Sequence, residues 1–178
     1  MTSKLAEGAI LVAPLFVGFA MHGLCIRLGV LRELASPVSR NLFGANKTYR
    51  GVLCVALGTA VGFAAINPAW LELGEGPRTA QLALLGVVVG TAAMAAELPN
   101  SFLKRRVGIP PGAQANGIGG AAFHVLDQVD VVLGAWVVLA WVAKPTLGRL
   151  AGSFGTVYVG HQLISLMGYW LGMRTTPR

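Results

Sequence analysis

Apolar residues in this chain come in long, nearly uninterrupted runs, unlike the strict alternation of a half-buried strand or the single stripe of a surface helix. Five runs stand out, at roughly residues 8–28, 51–66, 80–96, 121–143 and 153–173. A helix needs about 20 mostly apolar residues to cross a bilayer, within a range of roughly 17–25. Each run is therefore read as a transmembrane helix, the second and third at the short end. The first run exceeds the roughly 7–15 residues of a signal-peptide apolar core, and no small-residue cleavage site leads into a polar domain, so it is expected to stay as a helix. Small residues recur within the runs, as in Gly58-Thr59-Ala60-Val61-Gly62 and Gly86-Val87-Val88-Val89-Gly90. They let helix backbones approach closely in lipid and predict a compact bundle. The expected fold is an all-α integral membrane protein of about five transmembrane helices, a single membrane-embedded domain over residues 1–178.

Composition supports a lipid solvent. Of the 178 residues, 54% are hydrophobic and 12% charged, against about 25% charged in a soluble domain. The net charge is +7, from 14 Lys and Arg against 7 Asp and Glu. A basic balance suits nucleic acid or an anionic membrane surface. Here the cations lie in short segments between apolar runs, which favours the membrane and sets nucleic acid aside. Cys25 and Cys54 fall in or beside apolar runs and read as small core residues, not a disulfide.

The distribution of Lys and Arg sets the expected orientation. With the N-terminus outside, the inner segments hold Arg27, Arg32, Arg40, Lys47, Arg50, Lys104, Arg105, Arg106, Arg174 and Arg178, and the outer ones only Lys4, Arg78, Lys144 and Arg149. The C-terminus is then cytoplasmic. The second and fourth loops are short and marked by Pro and Gly. The first and third exceed twenty residues each, are rich in Gly, Pro, Asn and cations, and emerge on the cytoplasmic face. Long loops in a compact protein carry function more often than mere connection.

Acidic residues are scarce. Glu7, Glu33, Glu72 and Glu75 read as solvated residues near membrane ends or in the outer loop. Glu97 lies at the inner end of the third run, and Asp127 and Asp130 interrupt the fourth. At i, i+3 on a helix, the two aspartates share a face one turn apart. Charge inside a membrane helix costs at least about 2.5–3.5 kcal/mol on insertion scales, so it calls for a partner. Two readings fit: a divalent cation such as Mg²⁺ joining the carboxylates, or a structural pair neutralised by Arg from a neighbouring loop. Glu97 is placed to add a third oxygen or to hold a bound water.

The cations fall in two segments. Phe43-Gly44-Ala45-Asn46-Lys47-Thr48-Tyr49-Arg50-Gly51 closes the first loop, and Ser101-Phe102-Leu103-Lys104-Arg105-Arg106 opens the third. A Gly-bounded Lys-Thr-x-Arg segment before a helix can present cations and backbone N–H groups to phosphate oxygens. Neither segment has Walker A spacing, and either could be a positive-inside anchor. On one face with the aspartate pair they read as a metal–nucleotide site. His124, one turn before Asp127, borders it or marks the helix boundary. His22 and His161 read as packed or bonded to neighbouring helices, and the four tryptophans as interfacial or packing residues.

Gly44 to Gly51, Ser101-Phe102-Leu103-Lys104-Arg105-Arg106-Val107-Gly108-Ile109 and Leu126-Asp127-Gln128-Val129-Asp130, in this order and with five runs, resemble the CDP-archaeol synthase family, membrane CTP transferases related to phosphatidate cytidylyltransferases. The resemblance covers nearly the whole chain. It implies an enzyme that transfers CMP from CTP to a lipid phosphate of the inner leaflet, giving a CDP-lipid and pyrophosphate, with Mg²⁺ as cofactor. In archaeal members the lipid is a di-geranylgeranyl-glycerol phosphate. By that analogy Asp127, Asp130 and Glu97 hold the metal, and Asp127, Asp130 and Lys104 carry catalysis. Asn46, Lys47, Thr48, Arg50, Ser101, Lys104, Arg105 and Arg106 bind CTP. Glu97 stands where the family usually has Asp, and residues 36–40 lack an acidic residue associated with the family.

Two other readings compete: a small ion or metabolite transporter, and an inactive relative acting as a binding protein. A transporter would spread polar residues through the membrane depth on several helices. Here, His22 and His161 apart, they cluster toward one face. Homo-oligomerisation is left open by the sequence.

Overall fold

The protein is described by a computed structural model, which covers residues 3–66, 79–111, 113, 117–170 and 172, with residues 117, 118 and 121 through their backbone alone. The described residues are helical apart from connecting segments and one isolated bridge. Helices α1 (Lys4–Val12) and α2 (Pro14–Arg27) lead through a 3₁₀ turn at Arg32–Ala35 to the short α3 (Arg40–Phe43). Then follow α4 (Tyr49–Ala64), α5 (Thr79–Arg106), α6 (Gly117–Leu139) and α7 (Leu147–Trp170). The second loop with Trp70, Glu72, Glu75 and Arg78, Gly112, and the tail with Arg174 and Arg178 lie outside the described residues.

The first apolar run is one span with a joint. Pro14 opens α2 at its N-terminal position, where its missing N–H is tolerated, and ends the α1 ladder. Among the described residues three helices are long and apolar enough to cross a membrane, Lys4–Arg27, Thr79–Arg106 and Ala122–Leu139. Helix α4, with 16 residues, rises about 24 Å, short of a hydrocarbon core of roughly 30 Å. Helix α7 has 24 residues but includes Arg149 and His161.

The largest departure from expectation is α5. The run expected at 80–96 continues to Arg106, so Ser101 to Arg106 form the last turns of a helix, not the start of a loop. Two physical effects favour the extension. Glu97, Leu103, Lys104, Arg105 and Arg106 are good helix formers, and three cations in the last turn oppose the negative end of the helix dipole. Pro99 lies inside this helix, where it removes the hydrogen bond that would close on the Ala95 carbonyl. The third loop shortens accordingly. Helices α6 and α7 begin four and six residues before the expected 121 and 153.

In packing order α2, α4, α5 and α6 form a series, with α1 against α7 and a slighter α6–α7 seam. Glycines set the closest approaches. A Cβ at Gly58 would fall 2.5 Å from the Gly18 Cα, and one at Gly134 would fall 2.5 Å from the Ala92 carbonyl oxygen. The core between the helices includes Leu11, Leu15, Phe63, Val89, Val132 and Leu139, all fully buried. Outside it, Leu84, Val88, Val137, Trp141 and Trp170 are exposed, the surface expected of a chain whose outer solvent is lipid.

The end of the bundle away from the aspartates is clamped by an ion pair between α1 and α7. Arg149 Nε donates to Glu7 Oε2 at 2.8 Å, and Nη1 donates to the Lys144 carbonyl at 2.7 Å. Beside it Ser153 accepts from Trp136 Nε1 at 3.0 Å and donates to the carbonyls of Gly8 and Arg149. Glu7, expected to be solvated, is therefore a packed partner of Arg149 and Lys4. The reason is distance along the chain: Arg149 is 142 residues away, and only the α1–α7 packing brings it there.

Candidate active site

Two helices build the centre of the site. On α5, Glu97, Asn100 and Lys104 stand at i, i+3 and i+7, one stripe of the helix. The middle of α6 presents Asp127 and Asp130 to that stripe. Asn100 Nδ2 donates to Asp127 Oδ1 at 2.7 Å and to Asp130 Oδ2 at 3.1 Å. Lys104 Nζ lies 2.6 Å from both Asp127 oxygens and 5.7 Å from the Phe123 ring centroid. The Val131 amide donates to Asp130 Oδ1 at 2.7 Å. From the neighbouring helix a lysine thus pairs with Asp127 and a neutral amide bridges the two aspartates, in place of an arginine of a loop.

The first loop supplies the second side. Its base is closed by a short antiparallel contact: Pro37 bridges Thr48, Val38 N–H donates to the Lys47 carbonyl at 2.8 Å, and Tyr49 N–H donates to the Ser36 carbonyl at 3.2 Å. Thr48 is the N-cap of α4, its hydroxyl accepting from the Gly51 N–H at 3.1 Å. That cap orients the chain so that Lys47 reaches Glu97 across 50 residues of sequence, forming an ion pair with both side chains mostly buried. Glu97, expected as a third oxygen ligand, is engaged by this lysine.

The three consecutive cations of α5 point three ways, as residues about 100° apart on a helix must. Lys104 faces Asp127. Arg105 faces the first loop, where its Nη1 would lie 3.3 Å from a Cβ at Gly44; its Nε and Nη1 are buried with no hydrogen-bond partner among the described residues. Arg106 is exposed and lies over the Phe102 ring at 4.9 Å. Gly44 has φ +92°, a backbone that disfavours any other residue, and the absence of a side chain leaves room for Arg105. Arg50 donates from Nη1 to the Val30 carbonyl at 3.4 Å, while its buried Nε has no partner among the described residues. Asn46 is exposed, and Ser101 is buried within α5.

The structure therefore forms two ion pairs along α5, Lys47–Glu97 and Lys104–Asp127, and joins Asp130 to Asp127 through Asn100, with Arg50 and Arg105 beside them carrying guanidinium nitrogens that have no hydrogen-bond partner among the described residues. It turns Arg106 away and uses Thr48 as a cap. Asn100 was not singled out in the sequence. The signal lay in its i+3 spacing from Glu97 and i−4 spacing from Lys104, which counts only once this segment is helical. His22 also joins the neighbourhood: its ring packs on Gly51, within electrostatic reach of Lys47, Arg50 and Glu97. His161 meets Gln128 Nε2 at 3.0 Å, as expected of a residue bonded to a neighbouring helix.

The chemistry of the donor set bears on a metal. Among the described residues, no three His, Cys, Asp or Glu side chains converge at metal-ligand spacing. Yet a single nitrogen, Asn100 Nδ2, reaches both aspartates, so one cation in that position would reach both as well. Two carboxylates are hard oxygen donors, and Mg²⁺ is commonly held by one or two of them, with waters and substrate phosphates completing the shell. The residues fit that ion.

Comparison with known proteins shows the family. The family described as CarS-like, CDP-archaeol synthase, matches residues 32–177. A CDP-archaeol synthase of Methanoregula boonei is 30% identical over 145 residues, covering 78% of this chain and 82% of its own. Those of Saccharolobus islandicus and Aeropyrum pernix are each 30% identical, over 140 and 142 residues, covering 78% and 79% of this chain and 74% and 73% of their own. No solved structure matches the chain.

Proposed function

Since the chain belongs to the CDP-archaeol synthase family, a family of nucleotidyltransferases, we propose that it transfers CMP from CTP to a di-geranylgeranyl-glycerol phosphate or a closely related lipid phosphate. The observation that carries this reading is the convergence of Asp127 and Asp130 with Lys104, Lys47, Arg50 and Arg105 at one end of the bundle. Carboxylates there suit a divalent cation, and free guanidinium nitrogens suit phosphate oxygens.

The nucleophile is an oxygen of the lipid phosphate, already anionic at neutral pH, so no serine or cysteine nucleophile is needed. It forms a bond to the α-phosphorus of CTP while the bond from that phosphorus to the β-phosphate bridging oxygen breaks. The products are a CDP-lipid and pyrophosphate. Catalysis rests on alignment and charge neutralisation. Asp127 and Asp130 hold Mg²⁺, which when bound neutralises phosphate charge and fixes the triphosphate. Lys104 adjoins the reacting phosphates. Arg105 and Arg50 direct their unpaired N–H groups to phosphate oxygens, and Lys47, steadied by Glu97, adds a further cation. Asn46 and Ser101 border the CTP pocket.

In this reading the protein is a multi-pass membrane enzyme with its N-terminus outside, its C-terminus inside and its site facing the cytoplasm, where CTP is found. The lipid enters sideways from the inner leaflet, its tails held between helices. Pyrophosphate release by detergent-purified protein with CTP and Mg²⁺, across ether-isoprenoid, acyl-ester and single-chain polyprenyl phosphates, tests it. Release dependent on CTP and selective for the ether-isoprenoid lipid is expected. Release only with another lipid class would replace the substrate, and none with any lipid, from folded protein, would remove the reaction.

A further inference from the structure

We infer that the side-chain oxygen of Asn100 is the third protein ligand of the cation held by Asp127 and Asp130, and that Glu97 serves instead to hold Lys47. The inference rests on the metal reading above and deepens it.

Asn100 is 6% exposed. Its amide nitrogen donates to one oxygen from each aspartate, while its Oδ1 is buried and, among the described residues, has no hydrogen-bond partner. A buried acceptor left unsatisfied is costly, so its retention beside an ion pair calls for a use. The amide is two-faced: rotation about its last torsion exchanges a donor for an acceptor at nearly the same positions. Facing two carboxylates with no cation between them, only the donor edge is tolerable. Facing a cation that those carboxylates hold, the donor edge is repelled and the oxygen edge is attracted. Cation binding and reorientation of Asn100 are then one coupled event, and the group that bridges the aspartates becomes a ligand.

Glu97 is otherwise occupied. Its carboxylate is paired with Lys47, and that pair ties the first loop to α5. Recruiting Glu97 to the metal would release a mostly buried lysine without a partner, whereas recruiting Asn100 breaks no ion pair. A neutral third ligand also keeps the site at two negative charges, matching a divalent cation.

Mn²⁺ binding to the full chain in detergent, without CTP or lipid, tests this directly through loss of the free-ion electron paramagnetic resonance signal. Loss of a ligand is expected to weaken the affinity of Asn100→Ala by about tenfold to a hundredfold, whereas a residue that merely bridged the carboxylates would leave affinity unchanged or raised on removal. Asn100→Asp, of the same shape and with oxygens only, is expected to bind at least as tightly as the natural protein, which keeps the test decisive if the alanine variant fails to fold. Glu97→Gln is expected to leave the affinity unchanged. Normal binding by Asn100→Ala, or weaker binding by Asn100→Asp, would overturn the assignment. Weakened binding by Glu97→Gln alone would transfer the role to Glu97. No Mn²⁺ binding by the folded natural protein at millimolar concentration would instead overturn the metal reading beneath it.

Discussion

The ammonium of Lys104 lies 2.6 Å from each oxygen of Asp127, so one lysine occupies both edges of a carboxylate assigned to a cation. Under the proposed function lysine and metal would compete for that group, and metal binding would loosen this pair. A lysine so displaced would be free to meet a phosphate, which would couple loading of the cation to capture of the nucleotide.

That competition gives opposite signs for two measurements on one variant. Lys104→Met is expected to bind Mn²⁺ at least as tightly as the natural protein. Its KM for CTP should rise by about tenfold to a hundredfold, the worth of one or two charge-assisted hydrogen bonds. Weaker Mn²⁺ binding would show that Lys104 supports the metal site and does not compete with it.

The aspartates themselves admit less compensation. Asp127→Asn or Asp130→Asn is expected to lower turnover by at least about a thousandfold, in protein that still inserts and runs as a single species on gel filtration. Near-normal turnover by either variant would remove the metal assignment.

Adjacent arginines are expected to differ sharply. Arg105→Ala removes a guanidinium whose Nε and Nη1 are buried with no partner among the described residues, and should raise KM for CTP by about tenfold or more. Arg106→Ala removes an exposed side chain lying over Phe102 and should leave KM for CTP unaltered. Equal effects at the two positions would contradict the orientation of α5 reported above.

At the opposite end of the bundle, Arg149→Met removes the guanidinium that joins Glu7 on α1 to the Lys144 carbonyl, leaving Glu7 with Lys4 alone. A lower detergent melting temperature is expected. KM for CTP at a permissive temperature should be unchanged. A variant as stable as the natural protein would mean that the pair is solvated.

Much of this arrangement was legible in the sequence, and the reasons separate by distance along the chain. Among the described residues the apolar runs located the five long helical segments, three of them long and apolar enough to cross a membrane, since hydrophobicity of that length is a local property. The i, i+3 aspartates, with their shared face, were equally local. The end of α5 was misplaced because Pro99 and the cations resemble a loop to a residue-by-residue reading, while the packing of Asn100 and Lys104 on α6 that holds those turns is not local. The same limit hid Asn100 itself, and it hid the Glu7–Arg149 and Lys47–Glu97 pairs, whose partners lie 142 and 50 residues apart. The separate directions of Lys104, Arg105 and Arg106 followed only once they were known to be helical.

The central claim is that the α-phosphorus of CTP passes to a lipid phosphate at this site. Its most direct test incubates purified protein with Mg²⁺, di-geranylgeranyl-glycerol phosphate and CTP labelled at either the α- or the γ-phosphorus. The account predicts that α-label enters the organic phase as a CDP-lipid, that γ-label appears only as pyrophosphate, and that both transfers vanish in Asp127→Asn. Gamma-label in the lipid fraction, or inorganic phosphate as the released product, would contradict it.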